Sequence, residues 1–232
     1  VLSAIALVPS APVMVPELAG GAAKELTDLH AAVAAAAAAL PDRWVAVGVG
    51  PQDAVLAPPR VGTFAGYGAD VRVALDAGTG ADVGELPLCA LIAGWVRGRW
   101  APHAAVEVRT FTADHDADAA VARGRELRGL IDEAADPVGV LIVADGCHTL
   151  TQPAPGGYDP DSIPVQAALD DALAAGDAAA LTRLPASVTG RVAYQILAGL
   201  CDGAAPVAEE LYRGAPYGVG YFAGLWRIRG VG

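Results

Sequence analysis

Lysine is almost missing from this chain. Lys24 is the only one among 15 basic residues, which face 26 acidic ones for a formal net charge of −11. No basic run offsets that balance, so nucleic acid is not an expected partner. Cysteine is scarce as well: Cys89, Cys147 and Cys201 are odd in number, widely spaced and free of any C-x-x-C pattern. Neither a disulfide framework nor a structural zinc site is indicated, and a reducing cytoplasm is the compartment that fits. Long apolar runs are lacking too. Val1 to Val8 has no basic residue before it and meets Pro9 far short of membrane-spanning length, so it reads as a strand rather than a signal peptide. No membrane association is expected. G-x-S-x-G, Walker, G-x-G-x-x-G and H-E-x-x-H patterns are all absent, which removes the motif-based hydrolase, nucleotide-binding and zinc-protease readings.

What the chain has in plenty is apolar surface, at 54% hydrophobic over 232 residues. A chain of this size buries about 70% of its unfolded surface in one core, so a single domain over residues 1–232 is expected. The pattern alternates strands and helices. Val1–Val8, Trp44–Val49, Ala105–Thr110 and Val138–Ala144 read as buried strands, with Val71–Leu75 a weaker one and Tyr217–Trp226 the last. Helices are predicted over Glu17–Leu40, Leu86–Val96, Asp114–Ala135, Ile163–Ala175, Asp177–Arg183 and Val188–Leu200. The fold class that follows is α/β, a central mostly parallel or mixed β-sheet flanked by helices.

The most informative stretch is Val138 to Tyr158. Its apolar first part stops abruptly at Asp145-Gly146-Cys147-His148, and a Pro/Gly-rich loop follows. A buried strand that empties into a polar loop is where α/β proteins place their ligands, which makes His148 the leading candidate site residue. The other histidines carry weaker signals. His30 lies in an alanine-rich helix and His103 in a turn. His115 belongs to Asp114-His115-Asp116-Ala117-Asp118, which reads as an acidic helix N-terminus rather than a metal cluster. Cys147 beside His148 is not a nucleophile–base pair by adjacency, because sequence neighbours point apart; it needs another base in space.

Several segments, in order along nearly the whole chain, resemble the class III extradiol ring-cleavage dioxygenase superfamily, which includes the protocatechuate 4,5-dioxygenase β subunit and Memo-like proteins. Ala6-Leu7-Val8-Pro9-Ser10-Ala11-Pro12 with Val15-Pro16-Glu17-Leu18 is similar to its "PHPP…VPEL" element. Gly50-Pro51-Gln52 stands where the family has "PH" or "DH", and Gly62–Ala69 is similar to "GDFARFGAP". Asp145–Leu150 is similar to "GDLSHRL", Ala154–Pro160 to "APAGYDP", and Ala215–Tyr221 to "APYGVGY". The resemblance implies the α/β fold of the extradiol dioxygenases and, in active members, Fe(II) held by two histidines and a glutamate with open positions. Here the histidine positions are Ser10 and Gln52, and no Asp or Glu occurs from Leu181 to Cys201. By this alignment all three ligands are substituted, no metal ligand is assigned and no cofactor is expected. His148 matches the family's acid/base histidine.

Three readings follow. The first is a protein that has lost the Fe(II) site but keeps a pocket for a small aromatic or carboxylate ligand, or for a protein partner. His148 would sit at its centre, with Ser10, Gln52, Asp145, Tyr158 and Tyr217 as polar contacts. The second is an active enzyme. It is either a dioxygenase with substitute ligands, for which Asp53 and Glu17 are the nearest acids, or a metal-free catalyst using His148 with Asp145 or Tyr158. The third is a structural component of a homo-oligomer or of a complex with a catalytic partner.

Overall fold

The computed structural model describes residues 1–78 and 82–228. The chain opens with β1 (Leu2–Val8), buried at all but one position because apolar residues occupy both faces. A short helix α1 (Pro16–Ala19) follows, and then Gly20, whose backbone lies in the left-handed region at φ 54°. That glycine divides the long helix predicted over Glu17–Leu40. Gly20–Leu26 winds as 3₁₀ turns, and only Thr27–Ala38 forms a regular helix, α2. Two adjacent glycines cost a helix more than the later alanine run returns locally.

Next come β2 (Arg43–Val49), β3 (Ala54–Leu56), β4 (Val61–Thr63) and β5 (Arg72–Ala74). Pro87 then starts α3 (Leu88–Trp100), which leads to β6 (Ala105–Phe111). Helix α4 (Ala117–Asp132) is capped by Asp116, whose carboxylate accepts from Ala119 N at 2.7 Å. The acidic turn is thus the helix start expected of it. Strand β7 (Val138–Val143) is buried at every position. Helices α5 (Ser162–Ala175), α6 (Ala178–Leu181) and α7 (Arg191–Leu200) precede the closing strands β8 (Pro206–Gly214) and β9 (Tyr221–Ile228). Two features of this last part differ from the sequence pattern. Strand β8 is not predicted by it, and the residues from Tyr217 to Gly220 form a turn, with Gly218 at φ 74°, rather than the start of the final strand.

The main sheet has seven strands in the order β3-β6-β2-β7-β1-β9-β8. Its centre, β6-β2-β7-β1, is parallel, and antiparallel strands flank it on both sides. The fold is therefore α/β with a mixed sheet, as the alternating pattern predicts. Helices cover both faces. Residues of α2 and α3 share one core with Ala6, Ala46 and Val106, while α4, α5 and α7 share the other with Ile5, Val47 and Val140. No described helix is long and apolar enough to cross a membrane.

Candidate functional site

The four parallel strands deliver their C-terminal ends to one edge of the sheet. The chain leaving β1 and β2 turns to the face covered by α2 and α3. The chain leaving β6 and β7 turns to the face covered by α4, α5 and α7. Strand β7 lies between β2 and β1, so on each of its sides the neighbouring connection departs to the opposite face. Divergence of this kind is where α/β sheets place a ligand crevice. Asp145 follows β7 by two residues, at this end of the sheet.

Ser10, from the turn after β1, donates its backbone N–H to Asp145 Oδ1 at 2.8 Å. Among the described residues this is the one hydrogen bond the carboxylate receives. Burial therefore dominates, and it pushes the Asp145 pKa up to about 7, with the Ser10 N–H opposing it. The surroundings are phenolic. Tyr194 of α7 is fully enclosed and donates to Ala144 O at 3.1 Å. Burial first, and the charge of Asp145 second, hold both Tyr194 and Tyr221 above the ordinary phenol range. A carboxyl group that titrates near neutrality is suited to taking up or releasing a proton.

His148 is exposed. Its Nδ1 lies 3.3 Å from the hydroxyl of Thr189, its carbonyl accepts from Gly156 N at 3.0 Å, and a side chain at Gly156 would collide with its ring. The loop glycine there leaves room for the imidazole, so the Pro/Gly-rich segment seats His148. Cys147 is buried, and burial raises its thiol pKa, which leaves it a core residue rather than a nucleophile.

The residue that holds this loop carries no clear signal in the sequence. Gln166, buried on α5, accepts from Cys147 N at 2.8 Å through Oε1 and donates to Asp170 Oδ1 at 2.9 Å through Nε2. A Cβ at either Gly146 or Gly220 would overlap its amide. Those two segments also bond to each other, Gly146 N to Gly220 O at 2.9 Å and Gly220 N to Cys147 O at 2.8 Å. Glycine lets both backbones close on one carboxamide. The only hints are two glycines in distant motifs and a lone amide among the apolar residues of α5. Asp170 itself is pushed up to about 6, mainly by burial, against the Gln166 amide and Arg213.

The remaining candidates lie apart. Gln52 is exposed and lines a cavity of about 510 Å³ with Tyr67, Glu85 and Thr110, and that cavity does not include His148, Ser10 or Asp145. Tyr158 is 44% exposed in the loop, and no side-chain hydrogen bond holds it among the described residues. Tyr217 donates its hydroxyl to Glu25 at 3.1 Å, which ties the turn before β9 to the 3₁₀ segment. Glu17 is exposed on α1. Asp53 is engaged by His115 Nε2 at 2.8 Å and by Thr112 N at 2.9 Å. Its pKa is lowered even though burial, the largest influence, acts the other way, because the Thr112 and His115 bonds together prevail. His115 thus has a partner from another segment, where the sequence offers none.

Among the described residues, no three His, Cys, Asp or Glu side chains gather closely enough to hold a metal ion. The positions that correspond to the family's ligands hold a serine and an exposed carboxamide. Asp145 stands with no second metal donor bonded to it, and Asp53 and His115 form a pair without a third donor. That set does not fit Fe(II), which needs anionic or imidazole donors in a facial arrangement.

No protein-family description matches this chain, and no curated protein matches it. Among solved structures it is similar to an uncharacterized protein of Escherichia coli K12, JW3007, at 11% identity and a TM-score of 0.56. The likeness spans 96% of this chain and 99% of that one. What the two share is the α/β fold.

Proposed function

We propose that this chain is a class III extradiol dioxygenase-like protein that has lost its Fe(II) site and binds a small aromatic or carboxylate molecule at the ends of β1 and β7. One observation carries this: the Asp145 carboxyl, bonded by Ser10 N at 2.8 Å and raised to about pKa 7, stands at the divergence of strand connections with no metal-donor set around it among the described residues. His148, seated on Gly156 beside Thr189, supplies the second polar contact, and the resemblance supplies the ligand class. The protein works in a reducing cytoplasm, in keeping with its three free, buried cysteines.

The second reading is a metal-free acid–base reaction, favoured by the near-neutral pKa of Asp145. The test begins with metal analysis of protein prepared without chelator, followed by calorimetric titration with protocatechuate under nitrogen. Less than about 0.1 metal ion per chain is expected, with saturable binding weakened about tenfold or more by His148→Ala and by Asp145→Asn, in line with a charged hydrogen bond. One tightly held metal ion per chain, or binding indifferent to both substitutions, would overturn the proposal. Turnover that disappears in Asp145→Asn would select the acid–base reading.

A further inference from the structure

Helix α3 and strand β5 enclose a groove of about 410 Å³ whose polar lining is arginine: Arg72, Arg97 and Arg99, with Trp95, Gly94 and Gly98 between them. Arg97 is 6% exposed. Its Nε donates to Ala74 O at 2.9 Å, and its Nη1 donates to Pro102 O at 2.6 Å and Ala104 O at 3.2 Å. All three acceptors are neutral carbonyls. Among the described residues no carboxylate lies within 4.0 Å of Arg97, and its Nη2 has no hydrogen-bond partner. Asp76 acts only from farther away, with Oδ1 accepting from Gly78 N at 3.2 Å. Arg99 is likewise absent from the ion pairs of the described residues. It rests over Trp95 and Trp100 at 5.9 and 5.6 Å from their ring centres.

In a chain carrying a net charge of −11, arginines would find acidic partners readily, yet Arg97 and Arg99 have none among the described residues. Arg72 has only Asp70 at 4.0 Å, an exposed pair at the limit of contact. A buried guanidinium is costly unless its charge is matched. The guanidinium fork suits the paired oxygens of carboxylate or phosphate. We propose that this groove binds a small oxyanion, carboxylate or phosphate, held by the free edge of Arg97 and by Arg72 and Arg99 at the rim. Val61, Val73 and Trp95 form the apolar wall for its carbon body.

Two substitutions at exposed positions of α3 probe the groove without opening the core. Arg99→Ala removes one rim charge. Gly98→Glu places a carboxylate where an added Cβ would meet nothing within 4 Å, so that the helix supplies its own anion. Melting temperature and tryptophan fluorescence would be followed during titration with sodium phosphate and, separately, with sodium acetate, ionic strength being held constant with chloride. At least one of the two anions should give a saturable response beyond that of chloride, identifying the head group. Arg99→Ala should weaken it about tenfold, and Gly98→Glu should abolish it while raising the melting temperature of the anion-free protein. No response beyond chloride from either anion, or responses that persist unchanged in both variants, would overturn the proposal.

Discussion

Asp145 couples the candidate site to stability through its protonation. Its pKa is raised from about 3.8 unfolded to about 7 folded, so the native state holds the proton more tightly. The stability this contributes is complete below about pH 4 and is lost as pH rises through 7. The shift of about three units corresponds to at most roughly 4 kcal/mol. Asp145→Asn should therefore flatten the decline in melting temperature between pH 4 and 7 and leave the variant more stable than the parent at pH 8. A decline of unchanged steepness in the variant would place the titration elsewhere, with Asp170, raised to about 6, the next carboxyl to replace. At Gln166, replacement by Leu leaves Cys147 N without its acceptor in a buried setting, which costs about 1–3 kcal/mol. Urea unfolding would measure it, and His148→Ala provides the contrast of an exposed side chain with little effect on the midpoint. Asp145 and His148 are legible in the sequence because an apolar run breaks at them. Gln166 is not, because its partners, Cys147 and the glycines at 146 and 220, come together only through long-range closure.

Among the elements, helices α4 and α7 meet across a glycine pair. A Cβ on Gly124 would overlap Ile196 O, and one on Gly199 would overlap Val121 O. The two backbones touch there with nothing flexible to yield, so Gly199→Ala should destabilise the fold by about 1–3 kcal/mol through overpacking. The denaturation midpoint measures this against Gly129→Ala, where an added methyl group meets nothing. The glycines are visible in the sequence, but nothing in their local spacing matches one helix to the other. The buried strands are legible because burial on both faces writes a continuous apolar run. Strand β8 is not, since an edge strand carrying exposed Glu209, Glu210 and Arg213 has the composition of a loop. Helix α4 is legible as to its acidic capping turn, although the pattern starts the helix at Asp114 and the structure starts it at Ala117, where the side chain of Asp116 makes the capping bond.

Over the whole molecule, the parallel core β6-β2-β7-β1 lies between two helical layers, while β3 and β8 form the sheet's edges. Amide exchange should follow that arrangement, slowest in β1, β2 and β7 and fast in β3 and β8. Comparable protection of β8 and β7 would mean that the β8 edge is covered in solution. Layering and fold class can be read from the alternation of strand and helix. The strand order cannot, because pairing depends on where each crossover lands. Strand β1 shows what that order entails. Its two neighbours are β7 and β9, with Leu7 beside Ile142 on one side and Gly224 on the other. On the ribosome, Ile5 and Leu7 emerge before either partner strand and wait, their backbone groups unpaired, until β7 and then β9 are made. The outer side of β1 is covered only when β9 arrives, so a nascent chain that stalls before Tyr221 exposes an apolar, adhesive edge to whatever lies nearby.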